Sequence, residues 1–205
     1  MQLKNITHLL FDLGGVIINI DPSRTLSGLS GGGTRVISFS DMAHPVHLQY
    51  EKGLISSQEF LAQVAELCAL SPDEVEIHWH SLLLDIPSER VLLLQRLRQN
   101  FPLFLLSNTN ALHIPEVEQI LLRDTGIERL ADVFDKLYLS YEMGKRKPDA
   151  EYFQQVLEEN QLNPSQCLFI DDSIANIEGA KALGIQTLWI DSPHRLMDFF
   201  YEHKK

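Results

Sequence analysis

Three carboxylates, a hydroxyl and a lysine stand where short apolar runs of the chain stop. Asp12 closes THLLFD (7–12), Ser107 and Asn108 close PLFLLSN (102–108), and Asp171 and Asp172 close CLFIDD (167–172). Lys147 follows KLYLS (136–140) within MGKRKPDAEYF, directly before Pro148. A carboxylate at the mouth of an apolar strand is costly unless it holds a cation or does chemistry. Each item alone is weak, since a lone Asp can cap a helix and Lys-Pro is commonly a solvated turn. Together they form a set. Three clustered acids repel one another and do not all stay ionised without a cation. Oxygen ligands of this kind suit Mg²⁺, which takes one or two carboxylates, keeps waters and shares phosphate oxygens. The backbone carbonyl of Gly14 offers another oxygen. Lys147 and Ser107 supply donors for phosphate oxygens, and a carboxylate can attack phosphorus to give an aspartyl-phosphate.

These residues must be brought to one place, and the chain between them says how. The runs above, with TLWID (187–191), lack strict alternation, as strands buried on both faces do. Helical patterns lie between the later runs: 87–100, 149–160 and 174–184, the last ending at Gly184. Strand–helix alternation predicts an α/β fold, a doubly wound Rossmann-like parallel sheet. In such sheets ligands sit outside the carboxyl ends of the strands, which is where the acids, Ser107 and Lys147 fall.

Residues 21–86 break the rhythm and read as helices. Ser56 with Glu59 and Ser71 with Glu74 make two capping boxes, the second with Pro72 at the first helical position. A helical cap at 21–86, inserted after the first strand, with a catalytic core of 1–20 and 87–205, is the expected organisation. GLSGGGT (28–34) has no Lys after its last Gly, so it is not a phosphate-binding loop and reads as a bend.

Composition limits the alternatives. The 205 residues suffice for a full core, and 44% hydrophobic with 22% charged residues is ordinary for a globular protein. A net charge of −11 argues against nucleic acid and against anionic membrane surfaces. It leaves room for a small anionic partner, because a pocket's field is set within a Debye length of ~8 Å. Cys68 and Cys167 are in no metal-binding spacing and read as free thiols in a reducing compartment. No long apolar segment occurs at the N-terminus, and a cytoplasmic protein is expected.

The motifs resemble those of the haloacid dehalogenase superfamily, in order and across most of the chain. LLFDLGGVI resembles its first motif, FLLSN its second, GKRKP its third and FIDDSIANIEGAKALGI its fourth. The resemblance implies a Mg²⁺-dependent phosphatase for a small phosphorylated metabolite, with Asp12 as nucleophile and metal ligand. It also implies Gly14 (through its carbonyl), Asp171 and Asp172 as metal ligands, and Leu13, Ser107, Asn108 and Lys147 around the phosphoryl group. Asn176 would orient the cluster. Asn110 and His113, in SNTNALH, resemble a subgroup of sugar-phosphate phosphatases similar to α-glucose-1-phosphatase, which implies a substrate-binding role for both, while His113 read from the sequence is evenly balanced between helix surface and pocket.

Gly14 is the departure. Most phosphatases of that family carry a second Asp two residues after the nucleophile, which protonates the leaving oxygen. Dehalogenases of the family also lack it, but need no Mg²⁺, so the Asp171–Asp172 pair favours the phosphatase over the dehalogenase. A phospho-ligand-binding pseudo-enzyme is the other alternative, and a phospho-accepting receiver domain is disfavoured by the long insert. Without the acid, anomeric, acyl and aryl phosphates should leave more readily than alkyl ones. His44, His47 and Glu51 in the insert are candidate stand-ins for the acid, though each singly reads as solvent-facing. His78 and His80 sit two apart and face apart on a helix, while Trp79 reads as cap core and Lys145 and Arg146 as a solvated turn.

Overall fold

The computed structural model describes residues 5–30 and 44–202. Its frame is one parallel sheet of five strands: β1 (His8–Phe11), β2 (Leu103–Ser107), β3 (Lys136–Leu139), β4 (Cys167–Asp171) and β5 (Gln186–Trp189). Their order is β3-β2-β1-β4-β5, the doubly wound arrangement whose switch point lies beside β1. Register is set between central strands, with Phe11 opposite Leu105 on one side and Ile170 on the other.

Both faces of the sheet are covered, which is why the strands read as continuous apolar runs. Alternate residues serve opposite cores. Leu9, Phe11, Leu103, Leu105, Leu168 and Ile170 join one cluster, with helices α5 (Ser88–Leu97), α6 (His113–Thr125) and α11 (Arg195–Glu202). Leu10, Phe104, Leu106 and Phe169 join the other, against α9 (Ala150–Glu159) and α10 (Ile174–Ala182). Each fully buried Leu or Phe contributes about 1.5–3 kcal/mol relative to exposure, and a one-residue slip would exchange the side chains that the two cores receive. The strands run one or two residues shorter than the sequence patterns and the helices two to four, with Asp12, Asn108 and Asp172 just past the strand ends. Short helices α7 (Leu130–Val133) and α8 (Ser140–Met143) flank β3.

The insert folds as helices α1 (Pro22–Ser30), α2 (Pro45–Glu51), α3 (Ser57–Cys68) and α4 (Pro72–His80). They enclose their own apolar cluster of Leu29, Tyr50, Phe60, Val64, Ala65, Cys68, Val75 and Trp79. Both capping boxes form, Ser56 with Glu59 and Ser71 with Glu74. Such caps contribute about 1 kcal/mol each, which matters in helices of only 12 and 9 residues. Of GLSGGGT, only Gly28–Ser30 is described, as the end of α1; the rest lies outside the described residues. Two chain passages join cap to core side by side: Asn19 N–H donates to Asp85 O, Leu84 N–H to Asn19 O and Asp21 N–H to Leu82 O.

Cys68 and Cys167 are both free and buried. Among the described residues no helix is long and apolar enough to cross a membrane.

Candidate active site

The acids and Ser107 arrive by one device: they stand at or just past the carboxyl ends of β1, β2 and β4. Asp12 follows β1, its N–H still tied to Ile170 O at 2.9 Å. Ser107 and Asp171 are the last residues of β2 and β4. The chain then turns sharply at Gly15, whose φ of +70° favours glycine. A Cβ there would also stand 2.2 Å from Asp172 Oδ2, so Gly15 is what admits the Asp172 carboxylate beside Asp12.

Lys147 is the centre of the site. It is fully buried, and its Nζ donates to Asp12 Oδ1 at 2.8 Å, to Asp171 Oδ2 at 2.7 Å and to Leu106 O at 2.7 Å. Its backbone is gripped by Asn108, whose Oδ1 accepts from Lys147 N–H at 2.8 Å and whose Nδ2 donates to Lys147 O at 2.9 Å. Behind it Gly179 of α10 closes on Pro148, where a Cβ would meet the Pro148 carbonyl at 2.7 Å. Asn176 donates to both oxygens of Asp171, at 3.0 and 3.1 Å, and Ser173 N–H adds a third bond at 2.8 Å.

One ammonium among three carboxylates leaves excess negative charge, and the pKa shifts record it. Burial pushes Asp12 up to about 7; Lys147 opposes the rise, and Asp171 and Asp172 add to it. Asp172 is also raised, by burial first and then by Asp171. Burial works against the charge of Lys147, yet Asp12 and Asp171 together hold its pKa above the ordinary lysine value. Asp12, Asp171 and Asp172 each offer an oxygen, all within 4.8 Å of one another. Hard oxygen donors so placed, with the Asp172 residue exposed, fit Mg²⁺.

Around this centre the remaining sequence candidates fall as follows. Ser107 is buried at the strand end beside Asp12. No described group accepts from the main-chain N–H of Leu13 or of Asn108. Gly14 follows Leu13, and a Cβ on it would meet Ile20 Cδ1 at 3.2 Å. A side chain at position 14 would thus need the Ile20 side chain to give by a few tenths of an ångström.

Asn110 and His113 are drawn to the cap rather than to Lys147. Asn110 Oδ1 accepts from His113 N–H at 3.0 Å, its amide meets His113 Nδ1 at 3.2 Å, and His113 Nε2 meets Trp79 O at 3.0 Å. The imidazole is stacked on Trp79 and pushed by burial down to about 3. It is neutral, with its proton on Nε2 if the Asn110 amide donates to Nδ1. Both ring nitrogens are thus engaged by protein, a core-to-cap latch.

Arg146 and Glu51 differ from their sequence reading. Instead of facing solvent, Glu51 is buried and accepts from Arg146 Nε at 2.8 Å, joining α2 of the cap to the residue before Lys147. His47 Nε2 lies 3.7 Å from Glu51 Oε1, and His44 caps α2. Lys145 bonds Gln155. Trp79 lies in the cap core as expected. Gly15, Gly179 and the side-chain role of Asn108 escaped sequence reasoning. The Gly-Gly pair after Asp12 was the only available signal.

Comparison with known proteins agrees with this geometry. Residues 6–184 match the haloacid dehalogenase-like hydrolase family. A D-ribitol-5-phosphate phosphatase of Bacteroides thetaiotaomicron is 31% identical over 189 residues, covering 89% of this chain and 90% of that protein. A haloacid-dehalogenase-family enzyme of the same organism, solved with magnesium and inorganic phosphate, superposes with a TM-score of 0.80 at 38% identity, covering 90% of this chain and 93% of that one. A family hydrolase from Porphyromonas gingivalis gives a TM-score of 0.85 at 28% identity, with 98% of both chains covered. The four motifs, the sheet order and the acidic cluster around Lys147 thus converge with these likenesses: the chain belongs to the haloacid dehalogenase-like hydrolase family.

Proposed function

We propose that the protein is a phosphatase that hydrolyses the phosphate monoester of a small sugar or sugar alcohol through a covalent phosphoryl group on Asp12. The observation that carries this reading is the position of Asp12 Oδ1 on the buried Lys147 ammonium, with Asp171 and Asp172 alongside. One oxygen of Asp12 attacks phosphorus as the bond to the substrate oxygen breaks, and the leaving alkoxide takes a proton from solvent water. Water then attacks the same phosphorus, releasing inorganic phosphate and restoring the carboxylate.

In this reading Lys147, Ser107 and the N–H groups of Leu13 and Asn108 bind the phosphoryl oxygens. Asp12, Asp171, Asp172 and the Gly14 carbonyl would hold Mg²⁺, which when bound would supply positive charge against that building on the phosphoryl oxygens. Asn176 fixes Asp171, and Asn108 fixes Lys147. Asn110 and His113 serve the substrate indirectly, by seating the cap. The cap, residues 21–86, would select the leaving group over the core of 1–20 and 87–205. The relative's substrate, D-ribitol 5-phosphate, is a polyol ester, which supports a sugar or sugar-alcohol phosphate here.

The test is release of inorganic phosphate from a panel of ribitol, aldose and glucose phosphates, with Mg²⁺ and with EDTA. Turnover in Mg²⁺ that EDTA abolishes is expected. No turnover of any ester, or equal turnover in EDTA, would refute the reading. A 2-haloacid belongs in the panel, since dehalogenases of the family also lack the acid at this position.

A further inference from the structure

Trp189 is an uneconomical residue by packing alone. It ends β5, and 43% of its surface is exposed. What it does is donate its indole N–H to the main-chain oxygen of Asp172 at 2.9 Å. The same peptide unit is held from its other end, because Ser173 N–H donates to Asp171 Oδ1 at 2.8 Å. Backbone pairing sets the reach of the indole: Trp189 is in register with Asp171, and Ile190 N–H donates to Asp171 O at 2.9 Å. The peptide between Asp172 and Ser173 is therefore clamped at both its carbonyl and its amide. That peptide is where the chain leaves β4, presents the Asp172 carboxylate and enters α10.

We infer that Trp189 is a positioning residue for the metal centre, holding the Asp172–Ser173 peptide so that the Asp172 carboxylate is pre-set toward Asp12 and Asp171. The inference rests on the Mg²⁺ assignment. Asp172 is the exposed member of the three, and it lacks the buried partners that fix Asp171. Gly15 gives it room; Trp189 gives it direction. A ligand held in place loses less freedom when the cation arrives, so removing the clamp weakens metal binding even though Trp189 does not touch the ion.

The test is direct binding of MgCl₂ to the full-length protein by calorimetry, with no substrate present. Trp189→Phe keeps an aromatic ring and removes the donor. Replacing Trp189 by benzothienylalanine keeps the ring size and exchanges the N–H for sulfur, and it decides the matter if the Phe variant fails to fold. Both are expected to bind Mg²⁺ about fivefold more weakly than the wild type, the scale of one lost hydrogen bond. A spectroscopic reading accompanies it: Mg²⁺ alters the tryptophan emission of the wild type, and Trp189→Phe removes that change, leaving only Trp79. Wild-type affinity in the benzothienylalanine protein would overturn the inference while leaving the metal assignment intact. Absence of Mg²⁺ binding by the wild type would overturn the metal assignment and this inference with it.

Discussion

Lys147 Nζ lies 2.8 Å from Asp12 Oδ1 with no exposed surface of its own. The side chain that would stabilise a phosphoryl group is thus also the counter-ion of the Asp12 and Asp171 carboxylates. Lys147→Met removes that cation from between Asp12 and Asp171 and leaves their carboxylates unpaired in the interior. Breaking a buried pair in this way costs about 3–5 kcal/mol. The loss of an electrostatic donor lowers kcat by about 10²–10³-fold. Thermal unfolding in EDTA should show the destabilisation, and Mg²⁺ should recover part of it without recovering the rate. Stability and rate like the wild type would show that Lys147 is only a surface-loop residue drawn inward.

The Gly15 turn sets the second expectation. Gly15→Ala places a Cβ 2.2 Å from Asp172 Oδ2 at a φ of +70°, a conformation that costs an L-residue about 1–2 kcal/mol. The carboxylate must move, so half-saturating Mg²⁺ should rise by an order of magnitude or more, read from the metal dependence of the rate. An unchanged metal dependence would contradict the packing described here.

Much of this was legible before any coordinates. Three strand ends placed Asp12, Ser107, Asp171 and Asp172 on one edge, because buried parallel strands have a recognisable apolar signature and a fixed polarity. The capping boxes at Ser56 and Ser71 marked the insert as helical for a local reason, and both form. What was not legible depends on distance in sequence. Glu51 reaches Arg146 across 95 residues, and His113 reaches Trp79 across 34; no local pattern encodes either partner. Arg146 therefore looked like a solvated turn and His113 could not be assigned to surface or pocket.

Gly14 bears on substrate choice. With Ile20 Cδ1 3.2 Å from where a Cβ would stand, Gly14→Asp alone should crowd the hinge and gain little. Gly14→Asp with Ile20→Ala should gain most on alkyl phosphates, up to the ~10²–10⁴-fold range of general acid assistance. The check is kcat/KM across esters of graded leaving-group pKa. A steep dependence in the wild type that flattens in the double variant is expected. A flat dependence in the wild type would mean the cap already supplies an acid, with Glu51 and His47 the first to replace.

Mg²⁺ affinity should depend on pH with a definite sign. Burial holds metal-free Asp12 near a pKa of about 7, and a metal ligand must be ionised, so protons compete with the ion below that value. Affinity should fall about tenfold per pH unit below about pH 7 and level off above it. Calorimetry in buffers of different ionisation enthalpy should find close to one proton released per Mg²⁺ at about pH 6. Affinity that is flat from about pH 6 to 8 would show that Asp12 is ionised without the metal.

The central claim is that phosphorus is bonded to Asp12 during turnover. Acid quenching of the Mg²⁺-loaded protein in the first turnover, followed by borohydride reduction and peptide mapping, reads it directly. An aspartyl-phosphate at position 12 is reduced to homoserine there, and the Asp12→Asn protein, folded but inactive, gives none. Phosphate release with no modification at position 12, or full turnover by Asp12→Asn, would contradict the account.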